Sequence, residues 1–312
     1  MKIIQIPFLL SIIILLSFSC EENKIAYPEQ YITILGEAQD AGFPHINNPK
    51  EWNDVRNGIK KRKLATSIGL IDQSTKQKWL FEATPDMPQQ LHILENDHLK
   101  TDKIIDGIFL THAHIGHYTG IMHFGREAMG SKNIPVYAMP KMKQFLENNG
   151  PWDQLVSLEN IKLKKLKNDS LITLNNILKV TPFLVPHRDE YSETVGYKIE
   201  GKNKTALFIP DINKWHFWNK NIIEEVKNVD YAFIDATFFK EGEVPRPMSE
   251  IPHPFIEETV KLFENESVTT KSKIHFIHLN HSNPALNEAH FLKDSIQALG
   301  YHFASQNEIF GL

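Results

Sequence analysis

Short β-rich apolar runs alternate with stretches of helical spacing along most of this chain, and that alternation predicts an α/β fold. YITILG at 31–36 opens the series, and TSIGLI and KWLFEA follow as two more strands. TPDMPQQLHILEN predicts a helix capped by Thr84 with Pro85 at its first position. IIDGIFL reads as a buried strand, HYTGIMHFGREAM as a helix, PVYAM as a short strand and MKQFLENNG as a helix closed by Gly150. A lysine-rich segment and SLITL precede the strand ILKVTPFLVPHRDE, followed by the runs GYKIE, TALFIPD, YAFIDATFF and SKIHFIHLNHSNP. Helices are expected over WHFWNKNIIEEV, HPFIEETVKLFEN and ALNEAHFLKDSIQALG.

Histidine or aspartate recurs where these β runs stop. FLTHAHIGHYTG at 109–120 places His112, His114 and His117 within six positions, just beyond an apolar strand. Two histidines at i and i+2 leaving a strand point the same way, and a third at i+5, on the first turn of a helix, swings back toward them. Neutral imidazole is a common ligand for zinc and also suits iron, so the clustering has a chemical reason. His187, Asp211 and Asp235 occupy comparable strand-end positions. The long loop EAQDAGFPHINNP offers Asp40 and His45 as residues lining a site, although turn chemistry accounts for such residues as well.

Composition adds limits rather than chemistry. Hydrophobic content of 41% and charged content of 23% are those of a folded protein with a packed core. A net charge of −4 argues against a general nucleic-acid partner, and the basic runs at 60–63 and 162–167 read as solvated faces. The amino terminus differs in kind: IIQIPFLLSIIILLSFS leads to Cys20, the only cysteine. This pattern predicts a signal peptide over 1–19, a lipidated Cys20 followed by a polar spacer over 20–30, and a single domain over 31–312. The expected location is the bacterial cell envelope, with the protein exported and held by its lipid; an uncleaved anchor or ordinary signal is the alternative. With one cysteine, no internal disulfide forms.

The order of these features resembles the metallo-β-lactamase superfamily, whose H-x-H-x-D-H motif is followed by a histidine, a bridging aspartate and a final histidine. The matching residues are His112, His114, His117, His187, Asp211 and His278. Within the superfamily the chain most resembles the pyrroloquinoline quinone biosynthesis protein B group, through LGEAQDAGFPHIN, EATPDMPQQL, FLTHAHIGHYTG, FIDATFF and FIHLNHSNPALN. The resemblance implies a four-layer αββα sandwich with metals at one edge of two sheets. It also implies a first metal on His112, His114 and His187 and a second on His117 and His278, with Asp211 shared.

Two departures qualify what carries over. Gly116 stands where the superfamily has a metal-binding aspartate, which predicts one tightly held zinc and at most a weaker second ion. The biosynthesis group typically keeps that aspartate and lacks the first two histidines, so this chain carries the complementary half of the site. The expected export also separates it from an intracellular pathway. The resulting expectation is a metal-dependent hydrolase acting through activated water on a small-molecule ester, lactone, amide or phosphoester. In it Asp211 orients the nucleophile, and His253 is either the proton donor, by its likeness in position to the RNA-processing branch, or a residue packed at a helix start. Asp235 and His281 are expected nearby, in supporting or entrance positions. An iron-dependent oxygenase and a surface-anchored binding protein that has lost turnover are the alternatives.

Overall fold

The structure, a computed structural model, describes residues 27–245, 247, 250–286 and 290–312. The apolar leader and Cys20 lie outside the described residues. Strands β1 (Gln30–Gly36), β2 (Ser67–Asp72), β3 (Gln77–Phe81), β4 (Gly107–Phe109), β5 (Ile134–Ala138) and β6 (Ile161–Lys165) belong to one sheet. A second sheet holds β7 (Ile172–Thr173), β8 (Lys179–Leu184), β9 (Val195–Glu200), β10 (Thr205–Ile209), β11 (Tyr231–Asp235), β12 (Ile274–Ile277) and β13 (His302–Phe303). The last strand, β14 (Ile309–Gly311), returns to the first sheet, giving the orders β14-β1-β2-β3-β4-β5-β6 and β13-β12-β11-β10-β9-β8-β7.

Side-chain alternation explains why the sheets stack. Ile32 and Ile34 of β1 face the interior between the sheets, where they join Phe81, Phe109, Phe208 and Phe233, while Tyr31 and Leu35 of the same strand face outward. The outward side of the first sheet is covered by α2 (Met87–Ile93), α4 (Pro140–Asn148) and α5 (Trp152–Ser157), numbering after α1 (Pro49–Arg56) and with α3 (Ile115–Tyr118) between them. The second sheet is covered by α6 (Ile222–Lys227), α7 (Ile256–Leu262) and α9 (Phe291–Ala298), with α8 (Val268–Lys271) preceding β12. Helix, sheet, sheet and helix make the αββα sandwich that the resemblance implied. Phe81, Phe109 and Tyr137 stack across β3, β4 and β5 at 4.8 and 4.3 Å. Tyr197 meets Phe81 and Phe109 edge-on from the other sheet and donates its hydroxyl to the Leu110 carbonyl. That contact fixes the backbone two residues before His112.

Several local expectations shift. The helix expected from Thr84 begins two residues later, at Met87, because the Thr84 hydroxyl accepts the Asp86 amide and donates to Gln90 Oε1, closing a turn ahead of the helix. The helix expected over 117–129 is only α3, then a 3₁₀ turn over Thr119–Phe124. A Cβ at Gly120 would stand 2.2 Å from the Thr84 carbonyl, so this segment is shaped by close approach to the neighbouring loop. The basic run at 162–167 supplies β6, an edge strand whose exposed Lys162, Lys164 and Lys165 discourage pairing with another chain. No helix among the described residues is long and apolar enough to cross a membrane.

His275 of β12 turns inward, stacked 5.0 Å from His302 and edge-on to Phe310 at 4.7 Å, and its buried Nδ1 has no hydrogen-bond partner. Burial, then repulsion from His302, pulls its pKa from 6.5 down to about 3. The folded state therefore keeps it neutral while the unfolded chain takes up a proton as pH falls from 6.5 toward 3, so stability is lost across that window. Replacing His275 with Phe should remove this component, worth roughly 1–2 kcal/mol between pH 7 and pH 5. Urea unfolding of both proteins at the two pH values measures it; parallel losses would show that His275 carries no proton linkage.

Candidate metal centre

Strand ends deliver the site. His112 and His114 follow β4, His187 follows β8, Asp211 follows β10, Asp235 ends β11 and His278 follows β12. Because β3, β4 and β5 run parallel in one sheet, and β10, β11 and β12 in the other, these ends open on the same edge of the sandwich. His278 turns off its strand at φ +66°, a strained left-handed conformation for a non-glycine residue, as does Glu82 at φ +76° after β3.

Three groups of donors meet there, two of them including residues of the histidine motif and the third made of Asp235, His253 and His278. In the first, the facing nitrogens and carboxylate oxygen of His112, His114, His187 and Asp211 lie within 4.8 Å of one another. His112 Nε2 is 2.8 Å from His114 Nδ1, His187 Nε2 is 3.3 Å from the same atom, and Asp211 Oδ2 is 3.1 Å from His187 Nε2 and 3.4 Å from His112 Nε2. In the second, Asp40 Oδ1 lies 3.0 Å from both His117 Nε2 and His278 Nε2. Asp211 Oδ2 reaches toward this group as well, 3.6 Å from His117 Nε2. One carboxylate therefore faces both of these groups.

The outer ring nitrogens explain why the inner ones converge. His112 Nδ1 faces the Thr111 hydroxyl at 2.8 Å, His187 Nδ1 faces Asn213 Oδ1 at 3.2 Å and His117 Nδ1 lies 3.3 Å from Glu82 Oε2. His278 Nδ1 faces the Thr237 hydroxyl at 2.8 Å, and His114, turned the other way round, presents Nε2 to Glu190 Oε2 at 3.0 Å. Asn213 Oδ1 and Glu190 Oε2 can only accept, which holds the outer nitrogens of His187 and His114 as N–H and leaves each inward nitrogen with a lone pair suited to a cation; the Thr111 and Thr237 hydroxyls can do the same for His112 and His278. Asp211 gives a second indication, because its Oδ1 is buried with no hydrogen bond directed at it. These residues fit a divalent metal in chemistry and direction.

Electrostatics follow from packing. Burial would raise the Asp211 carboxyl, but His187 and His253 beside it and hydrogen bonds from His112 and His187 hold it well below the usual carboxylate range. Burial works likewise against ionised Asp40, and His117 and His278 reverse it. Burial and the neighbouring His117 push His112 well below ordinary histidine. His117 itself is pushed well above, because Glu82 and Asp40 outweigh its burial.

His253 lies beside the first two groups rather than in either. Its Nδ1 is 2.8 Å from Asp235 Oδ2 and 3.2 Å from Asp211 Oδ1, and burial's downward pull is overcome by Asp235 and then Asp211, so that its pKa is pushed up to about 9. Asp235 could join a metal only by giving up donors it already has: the amides of Ile212 and Thr237 and the Thr237 hydroxyl, at 3.1, 2.9 and 2.7 Å. It is an anchor that orients His253 directly and His278 through Thr237. His281 stands outside these groups, with Nδ1 2.9 Å from Glu51 Oε1 and its ring stacked 4.1 Å from His45, facing a separate cavity of about 540 Å³. Glu82, Thr237, Asn213 and Glu190 escaped sequence reasoning. Glu82 and Thr237 had a signal in the strand-end runs EATPD and FIDATFF, whereas Asn213 and Glu190 had none beyond proximity to Asp211 and His187.

The description "Beta-lactamase superfamily domain" matches residues 77–304. The chain is 24% identical over 309 residues to the coenzyme PQQ synthesis protein B of Gluconobacter oxydans, covering 90% of this chain and 98% of that protein. Among solved structures, zinc-bound PqqB from Methylobacterium extorquens aligns with a TM-score of 0.74 at 19% identity, over 90% of this chain and all 100% of that one. A diphosphatase from the PhnP family aligns with a TM-score of 0.62 at 21% identity, over 90% and 96% of the two chains. These likenesses show the fold. The match over residues 77–304, more than half of the sequence, shows the lineage: this chain belongs to the metallo-β-lactamase superfamily, among proteins similar to coenzyme PQQ synthesis protein B.

Proposed function

We propose that the protein is a metal-dependent hydrolase of a small ester, lactone, amide or phosphoester. The observation that carries this reading is His253, buried against Asp235 and beside Asp211, yet lining a cavity of about 280 Å³ with Gln39, Arg188, Phe238, Ile251 and Asn280. That volume suits a small substrate or the reacting end of a larger one. The first two donor groups would hold divalent metal, which when bound would supply a Lewis acid and water of pKa about 7. Asp211 orients the attacking water through its oxygens. Asp235 takes the Nδ1–H of His253, so the proton passed to the leaving oxygen or nitrogen comes from Nε2. Arg188 at the cavity wall is placed to attract an anionic substituent. Similarity to a PQQ synthesis protein over 90% of the chain favours one second reading, an iron-dependent oxygenase, since histidine and carboxylate donors suit iron also.

Three outcomes are expected. Replacing His253 with Gln should leave bound metal unchanged and lower kcat on any accepted substrate by about 10²–10⁴-fold; full turnover in the variant would remove His253 from proton transfer. Chelation should abolish activity, and zinc should restore it under anaerobic conditions, whereas restoration only by ferrous iron with oxygen consumption would favour the oxygenase. The N-terminal apolar run and solitary cysteine support export and lipid anchoring through Cys20, where acylation holds a chain to a bilayer by two or more acyl signals. Cys20→Ser should then release the protein from the membrane fraction or block its processing, and unchanged fractionation and size would reject the anchor.

A further inference from the structure

The superfamily's second metal position takes an aspartate from the histidine motif, and here that position is Gly116. We propose that Asp40, from the loop after β1, is the carboxylate ligand of the second ion, so that this chain holds two metals. The proposal rests on reading the centre as a metal site and deepens it.

Space makes the exchange specific. A Cβ built on Gly116 would lie 2.3 Å from Asp40 Cβ, 2.5 Å from its Cγ and 2.6 Å from its Cα. Nothing larger than glycine fits at 116 while Asp40 stands there, and an aspartate at 116 would place its side chain in the same volume. Gly116 also has no positive φ to explain it, so the glycine is there for room and not for backbone freedom. The carboxylate enters the site from a different part of the chain and leaves its place in the motif vacant.

Asp40 is also held as a ligand should be. Gln39 N donates to the Leu279 carbonyl at 2.8 Å and Leu279 N donates to the Glu37 carbonyl at 2.8 Å, which lashes the residues before Asp40 to the residue after His278. On the other side Ala38 N donates to the Leu64 carbonyl at 3.1 Å and Phe43 N to the Lys63 carbonyl at 2.8 Å. The loop is thus pinned before and after Asp40, and its Oδ1 lies equidistant from two histidine nitrogens whose outer atoms already face oxygens. A ligand positioned before the ion arrives loses little freedom on binding it.

Metal content and calorimetric zinc titration, neither of which depends on turnover, test the assignment. The wild-type chain should hold two zinc ions, and Asp40→Asn and Asp40→Ala should keep one while weakening the other by at least about 10–100-fold. Gly116→Asp alone should lower the melting temperature of the metal-free protein by crowding, and Asp40→Gly combined with Gly116→Asp should regain two ions. A wild type that holds one ion, Asp40 variants that keep two with unchanged affinity, or a folded double variant that holds one would each overturn the proposal. Two zinc ions without hydrolysis would instead overturn the hydrolase reading and leave Asp40 as a ligand.

Discussion

An ionised carboxylate in a dry interior must be met by positive charge or by hydrogen bonds, and for Asp211 these come from a ring of histidines. Its Oδ2 faces three histidine nitrogens and its Oδ1 faces the ring of His253 without a bond directed to it. Everything around it is arranged to share that charge. The two sheets bring their strand ends to one edge, and outer oxygens turn the histidine rings so that lone pairs point inward. Tyr197 fixes the approach to the histidine motif. Without a cation the same group is a set of buried bases competing for protons, and His112 and His117 shift in opposite directions.

The α/β alternation and the strand-end donors were readable in sequence because they depend on local order, whereas the four-layer sandwich came from the family resemblance. An apolar strand followed by His-x-His needs no distant partner to be recognised, and the same holds for Asp211 at the end of TALFIPD. Asp40 was visible only as a loop residue that lines a site. Its place beside His117 and His278 comes from backbone bonds to Leu64 and Leu279, partners that no spacing rule connects to it. Gly116, read alone, looked like a lost ligand; read with the space around it, it is the opening through which another ligand enters.

Helix boundaries show the same limit at smaller scale. HYTGIMHFGREAM has the composition of one helix, yet Gly120 lies against the Thr84 carbonyl and the chain tightens into a 3₁₀ turn. The lysines of β6 look like a solvated run and are solvated, but along an edge strand. Tertiary approach overrides local preference in both places. Two further histidines divide similarly: His275 packs within the sandwich, while His281, expected beside the site or at its entrance, pairs with Glu51 outside the donor groups.

The loop carrying Asp40 has a consequence for how the protein is made. Asp40 and His278 are separated by 238 positions, and their meeting point is closed only when β12 has docked beside β11. A ribosome delivers Asp40 early and His278 near the end, so for most of synthesis the early carboxylate has no histidine from the far terminus to share an ion with. The group of Asp40, His117 and His278 is therefore complete only once the chain's last quarter has docked, so an ion there would be captured by a structure already assembled.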